Sequence, residues 1–392
     1  MNFILSDGVT RDRLLPFTFT RPVADIRIGI LTIREKWEFL LKTNTSSFTQ
    51  DYLSQKYPLK TEAENILIDG SIIPDVHLVD EIKKLKEGES LKCGDLTIAS
   101  FLSAKKIEKR VLAGKTVEYK GALFQVANLW DIYAKNHQAI HQDFEMLTNG
   151  RKSQPLSSTN FINGDPSLIF LEEGAKSEFA IFNTHDGPVY LGKDSEVMEG
   201  AKIRGPFALC EHSLVKMDAK IYTGTTIGPH SKVGGEVSNS VIFGYSNKAH
   251  DGFLGNSVLG EWCNLGADTN VSNLKNTYDM VKLWSYSTGR FENTGQQFCG
   301  LMMGDHSKSG INTMFNTGTV VGVSANVFGE GYLRNFVPSF SWGGKSGMSR
   351  FKLDKAFEVA SVVFKRRNKV FDDVEKNIFT YLYEMTFPKA EN

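Results

Sequence analysis

The sequence lacks several features that would assign it to a specialised class of protein. Its four cysteines, Cys93, Cys210, Cys263 and Cys299, stand far apart, and this spacing argues against a zinc site or a disulfide framework. We expect them to be buried thiols. The chain also has no run of about 18 apolar residues, which a membrane-spanning helix would require.

An excess of charge is also absent. Lys plus Arg and Asp plus Glu both number 45 among 392 residues, so no overall field attracts nucleic acid or an anionic membrane, and bound anions would need local sites. Asp7, Arg11 and Arg13 stand where a signal peptide would need its apolar stretch. We therefore expect a cytoplasmic protein of two or three domains that binds neither nucleic acid nor membrane.

The middle of the chain repeats an apolar residue at every sixth position. This column consists of Leu191, Val197, Ile203, Leu209, Val215, Ile221, Ile227 and Val233, then Phe253, Leu259, Leu265 and Val271, then Phe315, Val321, Val327 and Leu333. A period of six suits a coil of three short strands with one inward side chain per strand, whereas a β-sandwich would alternate with period two. The sequence predicts a left-handed parallel β-helix of hexapeptide repeats over residues 160–345.

Residues 1–150, before the repeats, mix strand and helix patterns. Apolar strands are predicted at Phe3–Leu5 and Asn65–Asp69, and helices at Thr32–Leu41 and Trp130–Leu147. This mixture indicates an α/β domain.

Two further segments leave the six-residue period. Residues 346–392 carry the apolar spacing of amphipathic helices, which we expect to cap the β-helix or to pack on a neighbouring subunit. Residues 272–302 are predicted to form a loop or arm outside the coil.

His250 lies where the period breaks, in the polar run Tyr245-Ser-Asn-Lys-Ala-His-Asp-Gly252. Acyl transfer from a thioester to an amine needs a side chain with a near-neutral pKa to accept a proton, and histidine provides one without a large shift. A packed or capping histidine is the alternative. His306, in the polar run Gly304-Asp-His-Ser-Lys308, is a rival base.

Four stretches around His250 form a recognisable pattern. They are Glu236-Val237, Asn247-Lys-Ala-His250-Asp-Gly-Phe253-Leu-Gly255, Asn264-Leu-Gly-Ala-Asp-Thr269 and Asn273. Together they resemble, without a gap, the acetyltransferase half of the bifunctional N-acetylglucosamine-1-phosphate uridylyltransferase/glucosamine-1-phosphate N-acetyltransferase (GlmU-type) family. The resemblance implies that His250 is the general base and that Glu236, Asn264 and Asn273 bind the sugar phosphate. Phe253 replaces a tyrosine of the family pattern, and Ser238 replaces a substrate-binding lysine.

The same resemblance assigns cations and a cosubstrate. Lys220 stands at the offset of a phosphate-binding arginine, Lys248 is the cation nearest to the histidine, and Arg204 resembles a second version of the arginine motif. A solvated surface charge is the alternative for each. Arg334-Asn-Phe-Val-Pro338 resembles the closing signature of hexapeptide acyltransferases, whose last coils bind coenzyme A, and implies acetyl-CoA as cosubstrate.

The opening of the chain carries a second resemblance. Leu5-Ser-Asp-Gly-Val-Thr-Arg11-Asp-Arg13, followed by Thr20-Arg-Pro22, resembles the start of sugar nucleotidyltransferases, in which glycine amides and an arginine cradle the triphosphate. The resemblance implies that Gly8, Arg11 and Arg13 bind UTP or dTTP and that Asp69 holds Mg²⁺ with waters. The loop is shorter than the family's, and Asp69-Gly-Ser71 stands in place of its Gly-Asp, so nucleotide binding without turnover is the alternative.

Together the motifs imply an α/β nucleotidyltransferase-like domain, a β-helix acyltransferase domain and C-terminal helices. The implied function of this transferase is acetylation of glucosamine 1-phosphate and uridylyl transfer to N-acetylglucosamine 1-phosphate, giving UDP-N-acetylglucosamine. Two alternatives are a glucose-1-phosphate thymidylyl- or uridylyltransferase with the β-helix as an oligomerisation module, and a non-catalytic nucleotide-sugar-binding protein. Because related β-helices pack as three parallel prisms, we expect a homotrimer, with the arm at residues 272–302 wrapping the next subunit.

Overall fold

The protein, seen in a computed structural model, is described over residues 1–108 and 114–387 and separates into two compact units. Unit 1 comprises Met1–Leu14, Thr20–Ile26 and Leu31–Asn128, and unit 2 comprises Leu15–Phe19, Arg27–Ile30 and Leu129–Asn392. The division falls at residue 128, whereas the sequence suggested a boundary at 150. The last five residues of the expected C-terminal segment lie outside the described residues.

Unit 1 contains a six-stranded mixed sheet. Its strands and helices are β1 (Asn2–Ser6), α1 (Ile33–Leu41), β2 (Ser46–Phe48), β3 (Asn65–Asp69), β4 (Ile72–Ile73), α2 (Val76–Lys83), β5 (Glu89–Cys93), β6 (Leu96–Leu102), α3 (Ala104–Glu108), β7 (Lys115–Glu118) and β8 (Phe124–Gln125). The strand order is β2-β1-β3-β6-β5-β7, and β4 pairs separately with β8. The predicted strands at Phe3–Leu5 and Asn65–Asp69 are confirmed.

Two local features of unit 1 are the pairing of its first strands and the cap of its first helix. Strand β1 runs parallel to β3 with Ser6 opposite Asp69, so the carboxyl ends of both strands meet, as at ligand sites of open α/β sheets. Thr32 caps α1: its side chain accepts from the Glu35 amide, and the Glu35 side chain accepts from the Thr32 amide, which satisfies two otherwise unpaired donors.

Unit 2 is a parallel β-solenoid with helices at both ends of its sequence. The elements before and in its first half are α4 (Asp131–Ala134), α5 (Asn136–Thr148), β9 (Phe161–Asn163), β10 (Ile169–Leu171), β11 (Lys176–Ser177), β12 (Ile181–Asn183), β13 (Val189–Leu191), β14 (Glu196–Val197), β15 (Lys202–Arg204), β16 (Phe207–Leu209), β17 (Leu214–Val215), β18 (Lys220–Ile221), β19 (Thr225–Ile227), β20 (Lys232–Val233), β21 (Glu236–Ser238) and β22 (Val241–Gly244). The remaining elements are β23 (Asn247–Lys248), β24 (Phe253–Gly255), β25 (Val258–Glu261), β26 (Asn270–Val271), β27 (Lys282–Ser285), β28 (Arg290–Asn293), β29 (Leu301–Met303), β30 (Lys308–Ser309), β31 (Met314–Phe315), β32 (Thr319–Val321), β33 (Asn326–Val327), β34 (Phe336–Val337), β35 (Ser341–Gly344), β36 (Gly347–Arg350), α6 (Leu353–Lys365) and α7 (Asp373–Thr386).

The solenoid is the predicted left-handed parallel β-helix, with about ten turns over residues 161–343. Its sheets define three faces: face 1 is β10-β13-β16-β19-β22-β25-β29-β32-β34, face 2 is β11-β14-β17-β20-β23, and face 3 is β24-β21-β18-β15-β12-β9. The coils stack closely, since a Cβ atom on Gly228 would lie 1.9 Å from the carbonyl oxygen of Phe243. Glycine is therefore required there.

The predicted apolar column forms the core, with one correction at Phe253. From Leu191 to Val233 every member of the column is buried, but the inward residue of β24 is Leu254, which has no exposure, and Phe253 is only partly buried. The first run ends because the inward residues Val233 and Val237 are only four residues apart. Phe253 misses the inward position because Leu254 and Leu259 are five residues apart and not six. The coil is shorter there, and the period restarts in a new register.

Aromatic rings stack along the edge between faces 1 and 2. His212, His230, Tyr245 and Trp262 all have φ between 53° and 62°, a left-handed conformation that costs roughly 1–2 kcal/mol for a residue with a side chain. Successive ring centroids are 4.8, 4.8 and 4.2 Å apart. This ring stacking offsets the conformational cost, and we call these four residues the ring ladder.

The flanking segments of unit 2 pack on its own solenoid. Helix α5 covers the start of face 1, where Ile140 and Phe144 contact Phe170 and Tyr190. The out-of-period segment contains an antiparallel hairpin of β27 and β28. Its Trp284 stacks on Phe336 of the same chain, 4.3 Å away between ring centroids. Trp284 is thus packed within one chain, whereas Phe291 of the same hairpin is 42% exposed.

The C-terminal segment, predicted to be helical, forms the two helices α6 and α7. Helix α6 places Phe364 against Trp262 of the ring ladder, 4.3 Å between centroids, and Arg367 donates to the carbonyl of His230 at 3.0 Å. The helices therefore pack along the edge of their own solenoid. Within residues 1–108 and 114–387, no helix has the length and apolarity needed to cross a membrane.

Candidate functional site

His250 lies at the edge between faces 2 and 3, where the chain passes from β23 to β24, and its side chain is exposed. A cleft of about 370 Å³ opens here, lined by Lys216, Gly234, Asp251 and Asp268 as well as by His250. An exposed imidazole beside a polar cleft can exchange a proton with a bound amine.

Face 3 places two of the expected site residues, Lys220 and Glu236, in one row with Phe253. Lys220, Glu236 and Phe253 occupy successive strands and are paired in register. Lys220 is exposed, and Glu236 and Phe253 are partly exposed. The row starts at the His250 edge and gives face 3 an alternation of positive, negative and aromatic groups.

Asn273 lies at the opposite edge of face 3. Its side-chain amide donates to the Oδ1 atom of Asn256 at 2.8 Å. A Cβ atom on Gly255 would lie 2.7 Å from Nδ2 of Asn273 and 2.5 Å from Cζ of Phe253, so both side chains lie over this glycine. The ring of Phe253 thus connects the row on face 3 with Asn273.

Asn264 is separated from this group. It forms bridges with Asn247 and Lys308 in line with face 2, around the edge that carries His250. The structure therefore brings Lys220, Glu236 and Asn273 to one face and leaves Asn264 on another, with His250 between the two.

Lys248 does not face the cleft, although the sequence assigned it to substrate binding. It is 2% exposed and pairs in register with Val233 of the core. Its Nζ atom donates to the carbonyl oxygens of His250 at 2.6 Å and Asp251 at 3.2 Å. Burial lowers the pKa of Lys248 to about 8. In this position the ammonium contacts the protein backbone, so direct binding of a substrate would require it to leave the core.

The other candidates on unit 2 take different positions. His306, the rival base, is 5% exposed and lies among aromatic rings, 5.0 Å from Phe379 between centroids. Arg204 forms an exposed ion pair with Asp186 at 2.9 Å, and Arg334 is exposed near the last coils.

Unit 1 gathers polar groups at the carboxyl ends of β1 and β3. Asp69 accepts from the amide and the hydroxyl of Ser71 through Oδ1, at 2.9 and 2.6 Å. Its Oδ2 atom lies beside Gly8, 3.5 Å from the position of a Cβ atom there. Gln125 donates to the Ser71 hydroxyl at 2.9 Å. Burial raises the pKa of Asp69 above its usual value.

The two arginines of the opening motif differ in exposure. Arg13 is exposed. Arg11 is mostly buried, donates to the Tyr52 hydroxyl at 2.8 Å and lies 3.9 Å from Asp7. Asp7 itself accepts from the Val23 amide at 2.7 Å and from the Thr49 hydroxyl, and burial raises its pKa. Arg11 is therefore pre-positioned beside the Gly8 turn.

The residues of this site fit a magnesium ion only if a bound nucleotide supplies further ligands to the metal. Within the described ranges, no group of three or more His, Cys, Asp or Glu side chains could hold a metal. Asp69 offers one carboxylate whose Oδ2 atom is not used by Ser71. Magnesium commonly binds through one or two carboxylates, waters and substrate phosphates, so Asp69 suits a metal that arrives with a nucleotide.

Sequence reasoning missed Asp7, Thr49, Tyr52 and Gln125 as parts of this region. Asp7 carries a readable signal, since it directly follows a buried strand, where ligand sites of α/β sheets occur. The other three are brought to the site only by the tertiary fold.

Comparisons with known proteins find relatives for both parts of the chain. Residues 3–152 match the family described as sugar nucleotidyl transferase. The chain is 28% identical over 252 residues to the bifunctional sugar-1-phosphate nucleotidylyltransferase/acetyltransferase of Sulfurisphaera tokodaii, covering 64% of this chain and 53% of the relative. It is 29% identical over 167 residues to the bifunctional protein GlmU of Methanocaldococcus jannaschii, and this match covers 43% of this chain and 33% of the relative. The structure of an Arabidopsis UDP-N-acetylglucosamine acyltransferase is 15% identical in sequence, with a TM-score of 0.25. The match covers 61% of this chain and 85% of that structure.

The class to which the chain is similar is thus that of transferases with a nucleotidyltransferase part and an acetyltransferase part. More particularly, the chain resembles the GlmU-type family, as the motifs around His250 predicted. The chain spans about half of the length of the Sulfurisphaera relative and about a third of the length of the Methanocaldococcus relative.

Proposed function

We propose that the protein makes a nucleotide sugar in two steps. Unit 2 transfers acetyl from acetyl-CoA to the amine of glucosamine 1-phosphate, and unit 1 transfers uridylyl from UTP to the N-acetylglucosamine 1-phosphate formed, giving UDP-N-acetylglucosamine and pyrophosphate. The observation that carries the proposal is the exposed imidazole of His250 at an edge of the β-helix, beside a face that presents Lys220 and Glu236.

In the acetyl transfer, the amine nitrogen of the sugar attacks the thioester carbonyl, and His250 accepts a proton from this amine. The new C–N bond forms, the C–S bond breaks, and the proton passes to the departing thiolate of coenzyme A. Lys220 binds the sugar phosphate, Glu236 binds sugar hydroxyls, and Asn273 orients the reacting groups from the far edge of face 3. The positions of these residues along one face support this assignment.

In the nucleotidyl transfer, the turn at Gly8 and the cations Arg11 and Arg13 bind the triphosphate. A phosphate oxygen of the sugar phosphate attacks the α-phosphorus of UTP, and pyrophosphate leaves. Magnesium, held through Asp69 and the phosphates, would neutralise negative charge. The protein contributes positioning, which is most of catalysis in phosphoryl-type transfers.

Binding of a nucleotide without turnover is the second candidate for unit 1. It is favoured by the commitment of Asp69 Oδ1 to Ser71 and by the fixed partners of Arg11. A glucose-1-phosphate thymidylyl- or uridylyltransferase is a further alternative, which the following experiment distinguishes by its products.

The test is to incubate the protein with UTP or dTTP, with glucosamine, N-acetylglucosamine or glucose 1-phosphate, and with acetyl-CoA and Mg²⁺, and to identify the products by mass spectrometry. We expect N-acetylglucosamine 1-phosphate and UDP-N-acetylglucosamine. Acetylation without pyrophosphate release would support the binding role of unit 1. A nucleotide sugar formed from glucose 1-phosphate without any acetylation would overturn the proposal for unit 2.

We also place the protein in the cytoplasm as a homotrimer. Exposed apolar side chains on face 3, Phe161 at 65% and Ile181 at 41%, support self-association through this face. Light scattering should give three times the monomer mass of 43.7 kDa, and Ile181→Asp should lower it. A monomer with full acetyltransferase activity would contradict a site shared between subunits.

A further inference from the structure

The core column of the β-helix contains one charged side chain close to His250. Lys248 stands opposite the apolar Val233, and the next inward residues along the chain are Leu254 and Leu259, all fully or almost fully buried. Removing an ammonium group from water is unfavourable unless its donors are satisfied. An aliphatic residue would fill this position without that cost, so packing alone does not explain the lysine.

The partners of Lys248 show what the ammonium does. Both of its hydrogen bonds go to backbone carbonyls, those of His250 and Asp251, and these two residues form the exposed turn between β23 and β24. The end of the turn is fixed separately, since the Phe253 amide donates to Asn270 Oδ1 at 2.9 Å. The buried Lys248 thus holds the turn from inside the coil. The imidazole carried by this turn faces the cleft on the outside.

We infer that Lys248 is a positioning residue, which fixes the His250 backbone so that the imidazole meets the attacking amine. The inference rests on the proposed acetyl transfer. A displacement of about 1 Å at a catalytic group can reduce a rate by about 100-fold. A turn that loses both hydrogen bonds from Lys248 is free to move by such an amount.

The charge on Lys248 gives this role a pH dependence. The charged groups that face it are Asp251 and Asp268, which raise its pKa against the larger effect of burial, and the pKa lies at about 8. The imidazole of His250 lies on the same turn. Above this pH the ammonium becomes a neutral amine, whose hydrogen bonds to carbonyls are weaker. Acetyl transfer should therefore decline on the alkaline side as Lys248 deprotonates.

The decisive variant is Lys248→Met, which keeps the length and volume of the side chain and removes its donors. Because it also removes a buried charge, the variant should be at least as stable as the wild type in urea unfolding. We expect kcat for acetyl transfer to fall about 100-fold, with little change in KM, and the alkaline decline to disappear. Lys308→Met is the matched control, since Lys308 also donates to a backbone carbonyl, that of His306, at 2.8 Å.

A second measurement does not depend on activity. Hydrogen exchange of residues 249–253 should accelerate in Lys248→Met and remain at the wild-type rate in Lys308→Met. Unchanged exchange, or a wild-type kcat, would overturn the positioning role. If the wild-type protein acetylates no amino sugar, the proposed function fails, whereas faster exchange of this turn would still establish that Lys248 holds it.

Discussion

Lys220 and Glu236 lie side by side on adjacent strands of face 3, paired in register through β18 and β21. A cation and a carboxylate at neighbouring positions can bind the phosphate and the hydroxyls of one sugar phosphate. Lys202 precedes Lys220 in the same column, and its Nζ atom donates to the Gly200 carbonyl at 2.8 Å. Lys202 is thus an exposed lysine in the same column that can serve as a control for Lys220.

Lys220→Ala should raise KM for glucosamine 1-phosphate about tenfold, a loss of about 1.4 kcal/mol of binding, and should leave kcat nearly unchanged. The reason is that a phosphate contact contributes equally to the ground state and the transition state. Steady-state kinetics at varied sugar phosphate checks this. Lys202→Ala is the control, and an equal rise in KM for both variants would mean that the effect is one of general surface charge.

His250→Ala should abolish acetyl transfer and leave the thermal midpoint of unfolding close to that of the wild type. The imidazole is exposed, so its removal costs little packing. Acetyl transfer is measured by thiol release from acetyl-CoA. His185→Ala, another exposed histidine of the solenoid, should remain active. Transfer at the wild-type rate in His250→Ala would remove this residue from the mechanism.

Replacement of both Arg11 and Arg13 by Ala should remove binding of UTP measured by calorimetry, with acetyl transfer unchanged. Both cations flank the Gly8 turn, and Arg11 is held there by Tyr52. Tyr52→Phe should weaken binding by a smaller factor, because it releases Arg11 without removing its charge. Lys84→Ala, at the residue that directly follows α2 in the same unit, is the control. Unaltered affinity in the double variant would exclude the Gly8 turn as the site.

The sequence predicted the β-helix well because burial in a coil repeats at a fixed interval. It failed at Phe253, since the inward residues Leu254 and Leu259 are five residues apart and not six. The inward position of Lys248 was missed for a related reason, as a charged residue is ordinarily read as facing solvent. Tyr52 reaches Arg11 over 41 positions of sequence, and no local pattern encodes such a contact.

Acidification should loosen the packing of the C-terminal helices through His230 of the ring ladder. Partial burial lowers the pKa of His230 below its ordinary value, and His212 and Arg367 lower it further. A group with a depressed folded-state pKa binds fewer protons when folded, so protonation of the unfolded chain draws the equilibrium towards unfolding. For this histidine the stability is fully present above its unfolded pKa and is lost as the pH falls towards and through its folded pKa.

The affected contacts are the stack of His230 between His212 and Tyr245 and the bond from Arg367 to the His230 carbonyl. Urea midpoints measured between about pH 7.5 and about pH 5.5, on either side of the ordinary histidine pKa, should fall on acidification. His230→Gln should show a smaller fall, because glutamine does not titrate, whereas His185→Gln should behave as the wild type. If the variant and the wild type lost the same stability, the pH dependence would have to come from other groups, and His230 would be only a stacking partner.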